Sequence, residues 1–162
     1  MIRLADILTE QSKHAVVFVS GLTKYESVAQ QAARIQSGMS AFKVVPFKYT
    51  QTQAIITYLQ ENQPAALVLY SRSVSDTKTY SAYIQPEKIF AIEPYKPTSL
   101  RGIPTANMWR HPLHDYRGAG ISGNDTPKEY PHAPDDDSKI PKEKQKTVLD
   151  YVAPIIATRI QV

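Results

Sequence analysis

Apolar runs and helical stripes alternate along this chain. Ala15-Val16-Val17-Phe18-Val19 is continuous, β-branched and aromatic, and stops at Ser20-Gly21, the pattern of a strand buried on both faces. Residues 25–36 change period, with Val28, Ala32 and Ile35 on one helical face, and end near Gly38. A second strand is expected over residues 42–47, with Pro46 weakening its end. Residues 52–60 carry Ile55, Ile56 and Leu59 at helical spacing, with Thr50 or Thr52 as the cap. Pro64 then precedes a third strand, Ala66–Tyr70. A weakly patterned helix is expected over 77–84, then strands over 88–92 and 105–109. Residues 144–160 close the chain as a helix with Val148, Val152, Ile155 and Ile156 on one face; Pro154 is expected to kink or interrupt it.

Strands separated by helices call for parallel crossovers. The expectation is one α/β domain spanning 1–162, a three-layer sandwich around a mostly parallel sheet of five or six strands. In such sheets ligands bind beyond the carboxyl ends of the strands. Attention therefore falls on Ser20-Gly21-Leu22, Tyr49-Thr50, the 71–75 segment, Glu93-Pro94-Tyr95 and the 110–115 segment. Residues 110–147 are rich in Pro, Gly, Asp and Lys, a connection too long to be ordinary and so expected to be functional or mobile.

Composition narrows the function classes. The chain has 162 residues, 42% of them hydrophobic, enough for one core. A net charge of +4 comes from scattered Lys and Arg with no basic stripe interleaved with aromatics, so nucleic acid is not an expected partner. No cysteine is present, which excludes disulfides and thiolate metal sites. The N-terminal stretch carries Asp6 and Glu10 and lacks a long apolar core, so neither a secretory signal nor a membrane span is expected. A cytoplasmic protein is the expectation, one that a phage-encoded or virion protein would equally match. His111-Pro112-Leu113-His114-Asp115 has no strong metal-ligand spacing, and neither a metal nor another cofactor is expected.

The chemistry concentrates after the third strand. Leu67-Val68-Leu69-Tyr70 breaks into Ser71-Arg72-Ser73-Val74-Ser75, and small-x-Ser-x-small is the spacing of a nucleophile elbow, with Ser71 and Ser75 standing for the usual glycines. A serine hydroxyl needs an imidazole to take its proton and a carboxylate to orient that imidazole. Ser73, Asp115 and His132 follow one another along the chain as nucleophile, acid and base. Glu93 is a rival acid, and His111 and His114 are rival bases.

On these residues the chain resembles the α/β-hydrolase family, and within it the compact, lidless, cutinase-like esterases. Val16-Val17-Phe18-Val19-Ser20-Gly21-Leu22 looks like that family's strand and oxyanion loop, and 63–73 like the approach to its elbow. The resemblance implies oxyanion donors at Val74 N–H and at Gly21 or Leu22 N–H. It also implies an acyl-enzyme route for hydrolysis of an ester, thioester or amide, with a small-molecule or polymeric ester as substrate. Two other readings stay open. A non-catalytic protein on a hydrolase-like scaffold, such as a virion or assembly component, would use the 110–147 loop to contact a partner protein. The 69–77 segment also resembles the serine-rich loop of sugar-isomerase (phosphosugar-binding) domains, whose hydroxyls hold a sugar phosphate.

Overall fold

The computed structural model describes residues 14–94, 100, 102–111 and 123–160. Six strands form one sheet: β1 (Ala15–Val19), β2 (Lys43–Phe47), β3 (Ala66–Tyr70), β4 (Ile89–Ile92), β5 (Met108–Arg110) and β6 (Asn124–Asp125). Their spatial order is β2-β1-β3-β4-β5-β6, and every adjacent pair runs parallel. The fold is thus α/β with a parallel sheet.

Period-two alternation sends side chains to two separate cores. Val16, Phe18, Val68, Tyr70, Phe90, Ile92 and Trp109 pack under α1 (Val28–Gly38) and the closing α4 (Val148–Arg159). Val17, Val19, Leu67, Leu69, Ile89 and Ala91 pack on the other face against Ile55 and Leu59 of α2 (Thr52–Asn62) and Tyr80 of the short α3 (Thr77–Tyr80). Helices on both faces make three layers and explain why β1, β3 and β4 are apolar at every position.

Several local expectations shift for identifiable reasons. Helix α1 begins at Val28, because Ser27 and Gln30 close a reciprocal capping box. Neither Thr50 nor Thr52 caps α2; Gln51 holds the N-cap position without a side-chain bond. Helix α3 is only 77–80, because residues 71–76 form a 3₁₀ turn ahead of it. Pro154 does not interrupt α4, which runs from Val148 to Arg159. There the ring meets Gly38, where a Cβ would lie 2.8 Å from Pro154 Cδ and 2.5 Å from Ala153 Cβ, so glycine lets α1 and α4 touch. Pro46 sits on the edge strand. Lys43 N donates to His14 O, so by alternation the Pro46 nitrogen points away from β1 and no ladder bond is lost. Among the described residues no helix is long and apolar enough to cross a membrane.

The chain leaves β1 toward β2 but leaves β3 toward β4, on opposite sides of the β1–β3 pair. A crevice opens beyond the carboxyl ends of neighbouring strands at such a switch point, and this is where open α/β sheets bind ligands. The Ser20–Leu22 and Ser71–Ser73 loops both lie there.

Candidate active site

Strand β3 ends at Tyr70, and the next residue, Ser71, takes φ 54°, in the left-handed region. For a residue with a Cβ this costs about 1–3 kcal/mol and persists only where the surroundings impose it. Ser73 supplies part of that constraint. Its Oγ accepts from Tyr70 N at 2.8 Å, and its hydroxyl donates to Val19 O (2.9 Å) or Tyr70 O (3.0 Å). Ser73 thereby ties the end of β3 to the end of β1 and pulls the chain into the 3₁₀ turn. It is fully buried, and among the described residues its hydroxyl bonds backbone and no imidazole. The hydroxyl presented at the strand end is that of Ser71, two residues earlier than the spacing suggested.

The same step recurs on the neighbouring strand. Tyr70 is in register with Ile92, so the residues that follow them, Ser71 and Glu93, lie side by side at the sheet edge. Glu93 also has a positive φ, 43°, and is fully buried. Its N–H donates to Trp109 O at 2.9 Å, and its Oε2 accepts from Thr126 Oγ1 at 2.5 Å. Its other oxygen, Oε1, lies 2.7 Å from His132 Nδ1. His132 Nε2 in turn lies 2.9 Å from Ser71 Oγ. Serine, imidazole and carboxylate form one hydrogen-bonded chain. A proton on Nδ1, donated to the buried carboxylate, leaves the Nε2 lone pair facing the hydroxyl.

His132 comes from the long segment after β6 and is fixed from several sides. Its ring stacks on Tyr70 at 4.8 Å between centroids, and the Tyr70 hydroxyl donates to the His132 carbonyl. One residue earlier, Pro131 O accepts from Val148 N at 2.8 Å. Further along, Arg34 of α1 reaches into the segment and donates to Lys142 O (2.7 Å) and to Gln145 O. The Arg34 guanidinium also pairs with Glu26 (2.7 Å) and Asp150 (2.8 Å) with little exposure. Although burial opposes its charge, these two carboxylates hold its pKa above the ordinary value.

Gly21 explains how the β1 loop meets the serine. A Cβ there would lie 2.9 Å from Ser71 Cβ and 3.1 Å from the Tyr70 ring, so only glycine allows the approach. The two expected loop donors are not equivalent. Gly21 N–H donates to Gln31 Oε1 at 3.1 Å, whereas Leu22 N–H makes no hydrogen bond among the described residues. Val74 lies three residues past Ser71 with its side chain in the core. With the serine at 71, the N–H immediately following is that of Arg72, in the first turn of the 3₁₀ helix, where N–H groups lack intrahelical acceptors.

The remaining nominated residues separate clearly. Glu93, the rival acid, holds the imidazole; Asp115 and His114 lie outside the described residues. His111, just past β5, is buried, and the ring at Ser71 is that of His132. Among the described residues no group of three or more His, Asp or Glu is placed to hold a metal ion. The chain matches no family model, no curated protein and no solved structure.

Thr126, Gln31 and Arg34 escaped the sequence reading because polar residues in a loop or on a helix carry no periodic signal. For Ser71 the usable signal was its place as the first residue beyond an apolar strand.

Proposed function

We propose that this protein is a serine hydrolase that cleaves a carboxylic ester, thioester or amide through an acyl-enzyme, with Ser71 as nucleophile, His132 as base and Glu93 as orienting acid. One observation carries the reading: Ser71 Oγ, His132 and the buried Glu93 are linked at 2.9 and 2.7 Å at adjacent strand ends. Nucleophile–base and base–orienter hydrogen bonds are the geometric test for such a site.

His132 Nε2 takes the Ser71 proton as Oγ attacks the substrate carbonyl carbon, and the carbonyl π electrons move onto oxygen. Glu93 stabilises the imidazolium and keeps its Nδ1–H aimed. Arg72 N–H and Leu22 N–H are the donors best situated for the oxyanion. The tetrahedral species collapses, the bond to the leaving group breaks, and His132 Nε2–H protonates the departing atom. Water, deprotonated by the same nitrogen, then attacks the acyl-enzyme and returns Ser71. Chain order remains serine, acid, histidine, as the α/β-hydrolase resemblance implies, but the acid follows the fourth strand and the nucleophile is Ser71.

The phosphosugar reading loses support, because the Ser73 hydroxyl is consumed by backbone and the Ser75 hydroxyl is buried with no partner among the described residues. A fluorophosphonate probe followed by peptide mapping tests the proposal. Modification at Ser71, lost in Ser71→Ala, is the expected result. No modification of folded protein, together with no turnover of activated esters, would overturn it in favour of a non-catalytic binding role.

A further inference from the structure

The rim of the proposed site carries positive charge that no ion pair answers among the described residues. Lys48 Nζ and Arg72 Cζ lie 6.0 and 5.9 Å from the centroid of one ring, that of Tyr49. Tyr49 is itself hung on the oxyanion loop, since its N–H donates to Ser20 Oγ at 3.3 Å and Ser20 N donates to Phe47 O at 2.9 Å. Arg72 adjoins the nucleophile, and Ser20 adjoins the glycine packed on it. Lys48 also lines an open cavity of about 480 Å³, together with Thr23, Lys24, Tyr25, Glu26 and Lys142 among others. Its one carboxylate, Glu26, is already bound by Arg34 at 2.7 Å. Lys142 is engaged by Asp136 and by Tyr25 O. Lys24, Lys48 and Arg72 form no ion pair among the described residues.

Two like charges around one ring repel, and a cleft lined by one sign of charge concentrates ligands of the other sign. We propose that the substrate is anionic, with a carboxylate or phosphate group on the acyl or leaving portion held by Lys48, Arg72 and Lys24 while the scissile carbonyl sits at Ser71. The inference rests on the hydrolase reading and adds the substrate class. The neutral Tyr49 ring supports both cations through their attraction to its face without cancelling their charge.

The test compares kcat/KM, above the uncatalysed rate, for 4-nitrophenyl esters of succinate, of 3-phosphonopropionate and of the neutral methyl succinate. A second pair moves the charge to the leaving group: 3-carboxyphenyl acetate against its methyl ester. An anionic ester in at least one series should exceed its neutral match about three- to tenfold at low salt. That advantage should shrink between roughly 20 and 200 mM NaCl. It should fall toward one in the Lys24→Gln/Lys48→Gln double variant. The phosphonate and carboxylate arms identify which anion is preferred. Anionic and neutral esters turned over equally in both series, or an advantage that survives the double variant, would overturn the inference. Fluorophosphonate modification of Ser71 is read separately, so failure of the hydrolase reading is distinguishable from failure of the charge preference.

Discussion

Two serines two residues apart should respond to substitution in opposite ways. Ser73→Ala removes the acceptor of the Tyr70 N–H (2.8 Å) and the donor to Val19 O or Tyr70 O. A buried N–H left without a partner costs about 1–3 kcal/mol, and the carbonyls, each with a second lone pair, add less. The expected loss is about 2–3 kcal/mol, so with a urea slope near 2 kcal/mol/M the unfolding midpoint falls by about 1–1.5 M. Reaction of the folded variant with a fluorophosphonate should persist, because the Ser71–His132–Glu93 chain is untouched.

Ser71→Ala deletes a single hydrogen bond, to a partly buried imidazole, and should change stability by about 0.5–1.5 kcal/mol while abolishing the reaction. Ser71→Gly should abolish it too, yet be more stable than Ser71→Ala by about 1 kcal/mol, since glycine adopts φ 54° without strain. Urea titrations and mass-spectrometric probe mapping on the three variants decide the matter. A Ser73→Ala protein with wild-type stability and no reactivity would refute this assignment of roles. Equal stability of the Ala and Gly variants at position 71 would refute the strain.

Glu93→Gln should lower kcat about 10²–10⁴-fold with little change in KM, because an amide cannot stabilise the imidazolium; steady-state kinetics on an activated ester check this. Gly21→Ala, whose methyl would meet Ser71 Cβ at 2.9 Å, should cost about 1–3 kcal/mol and suppress acylation, read by unfolding and probe reactivity together. Arg34→Met strands the buried Glu26 and should destabilise by about 3–5 kcal/mol in urea unfolding, with part recovered on adding Glu26→Gln. Burial pushes the Tyr80 phenol above its ordinary value of 10.0, so the folded state favours the neutral form. That contribution is intact below pH 10 and lost as pH rises through the folded value, so unfolding midpoints should fall in alkali and fall less in Tyr80→Phe.

Most of the architecture was readable because a parallel sheet covered on both faces demands apolar residues at every strand position, and β1, β3 and β4 satisfy that literally. The last strands were harder. β5 spans three residues and β6 two, too short for a pattern, and β6 follows a segment with few aliphatics. His132 was legible as the histidine in the long segment before the closing helix, whereas Thr126, which donates to Glu93, and Arg34, which binds the Lys142 carbonyl, left no trace in the periodicity.

That the serine beside His132 is Ser71, two residues before Ser73, has a definite cause. An elbow motif counts small residues, but what sets the hydroxyl beside the imidazole is the backbone turn, which here falls on the first residue after the β3 ladder ends. Small neighbours serve that turn only by letting other chain segments close on it. Here Gly21 of another loop provides the clearance, and a buried serine that accepts from Tyr70 N and donates to Val19 O or Tyr70 O provides the constraint. Spacing therefore pointed to Ser73, which bonds backbone, and not to Ser71, which meets His132. Had β3 and β4 been aligned by their last apolar residues, Tyr70 and Ile92, the next position on each would have been Ser71 and Glu93, the two members of the site that share the left-handed conformation. Adjacent parallel strands that turn at the same register step bring one side chain of each to the same point. In a sheet of this kind the strand-end register is thus a more direct guide to paired catalytic groups than the spacing of small residues.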